Sequence, residues 1–124
     1  MSEITAAEVA SVFEWSYVGG QELMLKIRED CPDRLRTHAE FFSAEIEMGS
    51  SGPDQWLVEL SFWDANTGFR NEGRERSGTC PTLKDAIKAV HSAFLELFEE
   101  HKEHVDKYAT AEQNANAAWA DAIA

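Results

Sequence analysis

The sequence predicts an α+β fold: a small antiparallel sheet of three to four strands, with a long C-terminal helix and shorter helices packed on one face. Three observations carry that expectation. Residues 22–28, 43–48 and 55–63 alternate apolar and polar side chains at the period of a strand. Apolar residues recur from Leu83 to Tyr108 at the period of a helix. Turn-forming clusters, above all Gly49-Ser50-Ser51-Gly52-Pro53-Asp54, separate these segments.

Thr5-Ala6-Ala7-Glu8 has the pattern of a capping box, in which hydroxyl and carboxylate satisfy the first unpaired amides of a helix. Val9, Phe13 and Tyr17 follow at fourfold spacing, and Gly19-Gly20 can end a helix through positive φ. We therefore expect a helix up to Gly19. Its rival is a strand over 12–18, because Phe13, Trp15 and Tyr17 also alternate. In the strand at 22–28, Leu23, Leu25 and Ile27 share a face. A short helix over 33–42 follows Cys31-Pro32. In the strand at 43–48, Ala44, Ile46 and Met48 oppose Glu45 and Glu47. The strand at 55–63 places Trp56, Val58, Leu60 and Phe62 opposite Leu57, Glu59, Ser61 and Trp63. Residues 64–68 read as a hairpin loop into a polar strand at 69–77. Its alternating charge marks an edge, where Arg70, Arg74 and Arg76 would discourage pairing with another sheet.

Thr82 is placed to cap the main helix, with Asp85 three residues on. The stripe Leu83, Ile87, Val90, Phe94, Leu97/Phe98, His101, Val105 and Tyr108 is its buried side. Thr110-Ala111-Glu112-Gln113 repeats the capping pattern, so a break is expected near Ala109, with one unbroken helix as the alternative. The chain reads as one domain, 1–124, in which 110–124 is an Ala-rich helical extension. The central order of helix, three strands and helix, together with Lys84-Asp85-Ala86-Ile87-Lys88-Ala89, resembles the double-stranded-RNA-binding domain. That resemblance implies RNA binding, which the surrounding acids oppose by repelling a phosphate backbone.

Charge bounds function further. Eleven Lys and Arg against 23 Asp and Glu give a net charge of -12, which argues against direct nucleic-acid binding. Residues 1–69 hold 13 acids and 4 bases, and residues 89–124 hold 7 acids and 2 bases. Between them, residues 70–88 are net positive, with 5 bases and 3 acids. No stretch is long and apolar enough for a membrane span. Met1-Ser2-Glu3-Ile4 lacks a signal-peptide pattern, so a cytoplasmic location is expected.

No phosphate-binding loop, dinucleotide glycine fingerprint, HExxH, paired CxxC or GxSxG elbow is present, so no enzyme is expected. His101 and His104, beside Glu100, have spacing that can serve a metal, yet an ordinary helix surface pair accounts for them. No metal or cofactor is expected. Cys31 and Cys80 each precede a proline and a helix, a setting that can activate a thiolate. No adjacent base supports a nucleophile; reduced structural thiols are the simpler reading, and whether the two pair stays open.

The acidic surface carries the most functional information. Glu96, Glu99, Glu100, Glu103 and Asp106 recur at threefold and fourfold spacing, while Glu45, Glu47 and Glu59 project from wet strand faces. Rows of carboxylates resemble phosphates to a protein with a basic groove. Trp63, beside a loop, is the aromatic expected to be exposed at such a contact. The expectation is a non-enzymatic interaction protein with a basic, nucleic-acid-binding partner. Small acidic nucleic-acid mimics, including phage-encoded inhibitors of host defence nucleases, are similar in size and charge. One alternative is an assembly subunit that forms homo-oligomers through Trp119 and Ile123 on the C-terminal helix. Another is a small ligand-binding protein or enzyme without a motif.

Overall fold

The computed structural model describes residues 3–50, 52–61 and 74–124. The capping box forms: Glu8 N donates to Thr5 Oγ1 at 3.1 Å and Thr5 N donates to Glu8 Oε1 at 3.3 Å. Hydrogen bonds from Arg34, and then from the Thr5 amide, hold the Glu8 carboxyl below the usual carboxylate range. The helix it starts, α1 (Ala6–Ala10), has only five residues. The expected helix up to Gly19 is corrected to a strand, β1 (Phe13–Gly19). Aromatic and β-branched side chains favour the pleated surface. Phe13, Trp15 and Tyr17 there pair with Ile27, Leu25 and Leu23 of β2 (Glu22–Ile27). Gly19 and Gly20, at φ 113° and 59°, make the turn between these strands rather than a helix end.

Helix α2 (Asp33–Ala39) is shorter than expected because Phe42 already belongs to β3 (Phe42–Glu47). The loop after β3 leads to β4 (Asp54–Leu60), and Asp54 Oδ1 accepts a bond from Gly49 N at 3.0 Å. A side chain on Gly49 would press to 2.6 Å from the Gly52 carbonyl oxygen, so the loop closes only around glycine. Strand β5 (Glu75–Cys80) lies at the sheet edge, as its polarity suggested. The expected hairpin loop at 64–68, the first part of the strand at 69–77, Phe62 and Trp63 lie outside the described residues.

The sheet has five strands among the described residues, all antiparallel, in the order β1-β2-β3-β4-β5. It exceeds the expected three to four because residues 13–19 join it. Together, α2, β3, β4, β5 and helix α3 (Leu83–Glu100) reproduce the helix–three strands–helix order noted in the sequence, and β1 and β2 extend the sheet beyond β3.

Thr82 caps α3 by accepting from Asp85 N at 3.2 Å. The helix break lies at His101, not near Ala109: φ -117° and ψ 19° separate α3 from α4 (Lys102–Ile123). Thr110 to Gln113 continue α4, because the capping sequence is equally compatible with a helix interior. The bend redirects the chain, since α3 packs on β4 and β5 whereas α4 packs on α2. His38 Nε2 meets Asp106 Oδ1 at 3.2 Å, and Gln113 Nε2 donates to Thr37 Oγ1 at 2.6 Å, securing α4 there. Tyr108, placed on the apolar stripe by its spacing, is 41% exposed; Ala109 is buried instead.

One core lies between the sheet and the helices. Phe94 of α3 stands 4.5 Å from the Phe42 ring and 5.7 Å from Phe13, and the Phe98 ring stacks 5.9 Å from Phe42. Phe98, Ile46, Leu60, Leu97, Val9, Val58 and Val105 are fully buried. Among the described residues, no helix is long and apolar enough to cross a membrane. Phe98→Ala is expected to cost about 3–5 kcal/mol, since it combines lost burial with a cavity that the surrounding rings cannot close; urea unfolding measures the loss.

Candidate functional site

Strand alternation divides the sheet sharply. Phe42, Ala44, Ile46, Val58 and Leu60 face the helices and are buried. The other face carries Glu14 from β1, Glu22 from β2, Glu45 and Glu47 from β3, Glu59 from β4 and Glu75 from β5. Lys26, 3.5 Å from Glu14, is the cation on these outward positions among the described residues. The described helices all join the core on the opposite side. An antiparallel sheet tolerates this arrangement because one face can stay in water.

Register sets these carboxylates against one another. Glu22 lies directly opposite Glu47, and Glu59 opposite Glu75. Like charges so placed oppose folding. Glu45 pairs with Met24 on one side and Leu57 on the other. A shallow depression of about 370 Å³ runs across this face from Glu22, Glu45 and Glu47 to Ser77 and Thr79, with Leu57 between them. A hydrogen bond with Glu22 raises the Glu45 carboxyl above its ordinary range, followed by burial and the charges of Glu22, Glu59 and Glu47. A bond between two carboxyl groups needs a proton on one of them. Chemically, the face attracts cations, and Glu45 at its centre takes up a proton more readily than an ordinary carboxylate.

The structure separates the candidate acids. Glu45 and Glu47 lie on the open sheet face, whereas Glu96, Glu99, Glu100, Glu103 and Asp106 lie on the helical layer beyond it. The bend at His101 also splits the helical row. Arg76 Nη2 reaches Glu100 at 2.6 Å and 2.7 Å, and Asp106 supports buried His38. Glu96, Glu99 and Glu103 are exposed. Arg74 and Arg76 reach His104 and Glu100, so they tie the edge strand to the helical layer; Arg70 lies outside the described residues. Trp63, also outside them, receives no place in the site. Trp119 and Ile123 are 67% and 66% exposed near the end of α4.

Neither cysteine is bonded to the other. Burial pushes the Cys31 thiol up, the reverse of activation. Among the described residues, no three His, Cys, Asp or Glu side chains gather as metal ligands. Burial, and next the Arg74 charge, lowers His101 below the ordinary histidine range.

Sequence reasoning found Glu45, Glu47 and Glu59 and missed Glu14, Glu22 and Glu75 as partners on their face. Glu22 was accessible through its alternation with Leu23, and Glu75 through the alternating charge of the edge strand. Glu14 was hidden by the helical reading of 12–18. No protein family, curated protein or solved structure matches the chain.

Because Glu45 titrates higher in the folded chain than unfolded, its ionisation withdraws stability as pH rises through the folded value. Glu45→Gln is therefore expected to stabilise the fold at pH 7 by about 0.5 kcal/mol. That gain should vanish in acid, where Glu45 is itself protonated; thermal melts across pH measure the difference. Among the helical acids, Asp106→Ala is expected to cost about 1–3 kcal/mol by stranding buried His38. Alanine at Glu96, Glu99 or Glu103 should stay within about 0.5 kcal/mol of the parent in chemical denaturation.

Proposed function

We propose that this chain is a non-enzymatic, acidic interaction protein that binds a basic partner through its open sheet face. In this reading it acts in the cytoplasm as a nucleic-acid mimic, inhibiting a nucleic-acid-handling enzyme of the host-defence type. The supporting observation is the two like-charged cross-strand pairs, Glu22 opposite Glu47 and Glu59 opposite Glu75, on the face that no described helix covers. Such pairs weaken the isolated fold, and local choices that oppose folding concentrate at functional surfaces. A basic groove would neutralise them, so their repulsion becomes attraction on binding. Several carboxylates on one face also add their fields, which speeds encounter and makes it salt-sensitive. The exposed Glu96, Glu99 and Glu103 extend the negative field on the helical side without joining the contact.

A second reading, an assembly subunit, is favoured by a separate observation. Residues 114–124 are exposed along the end of α4, with Trp119 and Ile123 one turn apart. The two readings use different surfaces.

Affinity capture from a host lysate tests the first. The expected result is a basic nucleic-acid-binding protein retained at low salt, released at high salt and displaced by duplex DNA. The combined substitution Glu22→Gln, Glu45→Gln and Glu47→Gln should weaken its capture by at least about tenfold. Neutralising Glu96, Glu99 and Glu103 should change capture much less. Retention by the sheet-face variant with unchanged salt dependence would overturn the proposed contact, as would loss of binding on neutralising the helical acids alone.

A further inference from the structure

The β1–β2 hairpin is incompletely covered on its inner side. Strand β2 pairs with β3 only through Glu22, Leu23 and Met24, so the hairpin parts from the sheet beyond that point. Helix α3 lies over β4 and β5. Between hairpin and helix an apolar groove of about 210 Å³ remains, lined by Phe13, Trp15 and Leu25 on one side and Ile87, His91 and Phe94 on the other. At the far end of the chain, α4 continues with exposed residues beyond Gln113, whose side chain donates to Arg34 O and Thr37 Oγ1 at α2. This segment carries Trp119 and Ile123 at i and i+4, on one side of the helix. Residues 114–123 are exposed throughout, so this end of the helix gains little from tertiary packing.

We infer that the α4 end of a second copy of this chain docks in this groove, with Trp119 and Ile123 as its anchors. The inference rests on the assembly reading above and names the receiving surface. Shape supports it, since a ridge of two large apolar side chains meets a groove between a helix and a hairpin, a standard mode of helix recognition. Charge supports it as well. Two copies of a chain of charge -12 repel over most of their surfaces. The groove, however, adjoins the net-positive stretch: Lys84 and Lys88 are exposed within a turn of Ile87 and His91. The entering end of α4 brings the negative pole of its helix dipole toward these lysines, while Asp121 lies on the side of the helix away from Trp119 and Ile123. A chain's own α4 end is exposed, so the occupant comes from another copy. Reciprocal insertion closes a twofold dimer and doubles the contact.

Sedimentation equilibrium of the full chain tests the inference, with a mass of twice 13.9 kDa expected at micromolar concentration. The tail variant joins Trp119→Glu to Ile123→Glu. The groove variant joins Lys88→Glu to His91→Glu, both exposed positions whose change leaves the core intact. Each variant alone should dissociate at least about tenfold more readily than the parent. Their equimolar mixture should recover association, because one intact tail then meets one intact groove. A groove variant that dimerises like the parent would overturn docking in the groove while leaving assembly through α4 standing. A monomeric parent chain would overturn both.

Discussion

The contact between α3 and the inner sheet face is the constraint on which the rest of this molecule depends. Phe94 and Phe98 close over Phe42, and Leu97 is buried with Ile46, Val58 and Leu60 in the same core. Burying these side chains on one face commits β3 and β4 to a fixed register, because a one-residue slip would turn the apolar set outward. The same commitment turns Glu45, Glu47 and Glu59 into water. The acidic face is thus a geometric consequence of where the aromatic residues lie. What does not follow is the choice of glutamate at so many outward positions, since threonine or lysine would satisfy the pleat and avoid the repulsion.

The local signals in the sequence were sound where one period dominated. Trp56, Val58 and Leu60 alternate without a competing helical pattern, and Thr82 with Asp85 marks the true start of α3. Residues 9–17 were ambiguous for an arithmetical reason: a spacing of four fits both a helical turn and two strand repeats. The capping box at Thr5 correctly reports a helix start but carries no information on length. Gly19-Gly20 suits a strand turn as well as a helix end. The break at His101 lacks a glycine or proline to announce it; it arises where the chain leaves the sheet to pack on α2, a tertiary cause. The outward glutamates could be read from alternation, but which sheet face the helices cover could not. Likewise, Trp119 and Ile123 are visible as a pair, whereas the groove beside Trp15 exists only because β2 parts from β3.

Charge is also partitioned by the fold in a way that the net value conceals. Arg74 and Arg76 reach the helical layer, where Glu100 binds Arg76, while Asp106 is paired with His38. Part of the helical acidity is therefore consumed in holding α3 and α4 to their neighbours. On the open face of the sheet, Lys26 stands beside Glu14 at one end, and the central carboxylates face one another. The raised Glu45 reports this crowding directly, since its hydrogen bond to Glu22 and the charges of Glu59 and Glu47 all favour its protonated form.

This partition separates the two proposed contacts in space and in physics. The open sheet face offers charge with little apolar area, so salt governs its attraction and a basic partner relieves its internal repulsion. The groove offers apolar area beside Lys84 and Lys88, so burial governs its contact, and salt acts chiefly by screening the repulsion between two acidic chains. Raising ionic strength therefore pushes the two equilibria in opposite directions: it loosens a basic partner from the sheet and eases the approach of a second copy to the groove. Because the acidic residues and the groove lie on opposite faces of the sheet, occupation of one leaves the other open. A dimer joined through the α4 ends would then present two acidic sheet faces, and a partner with paired basic sites would gain from both by effective concentration.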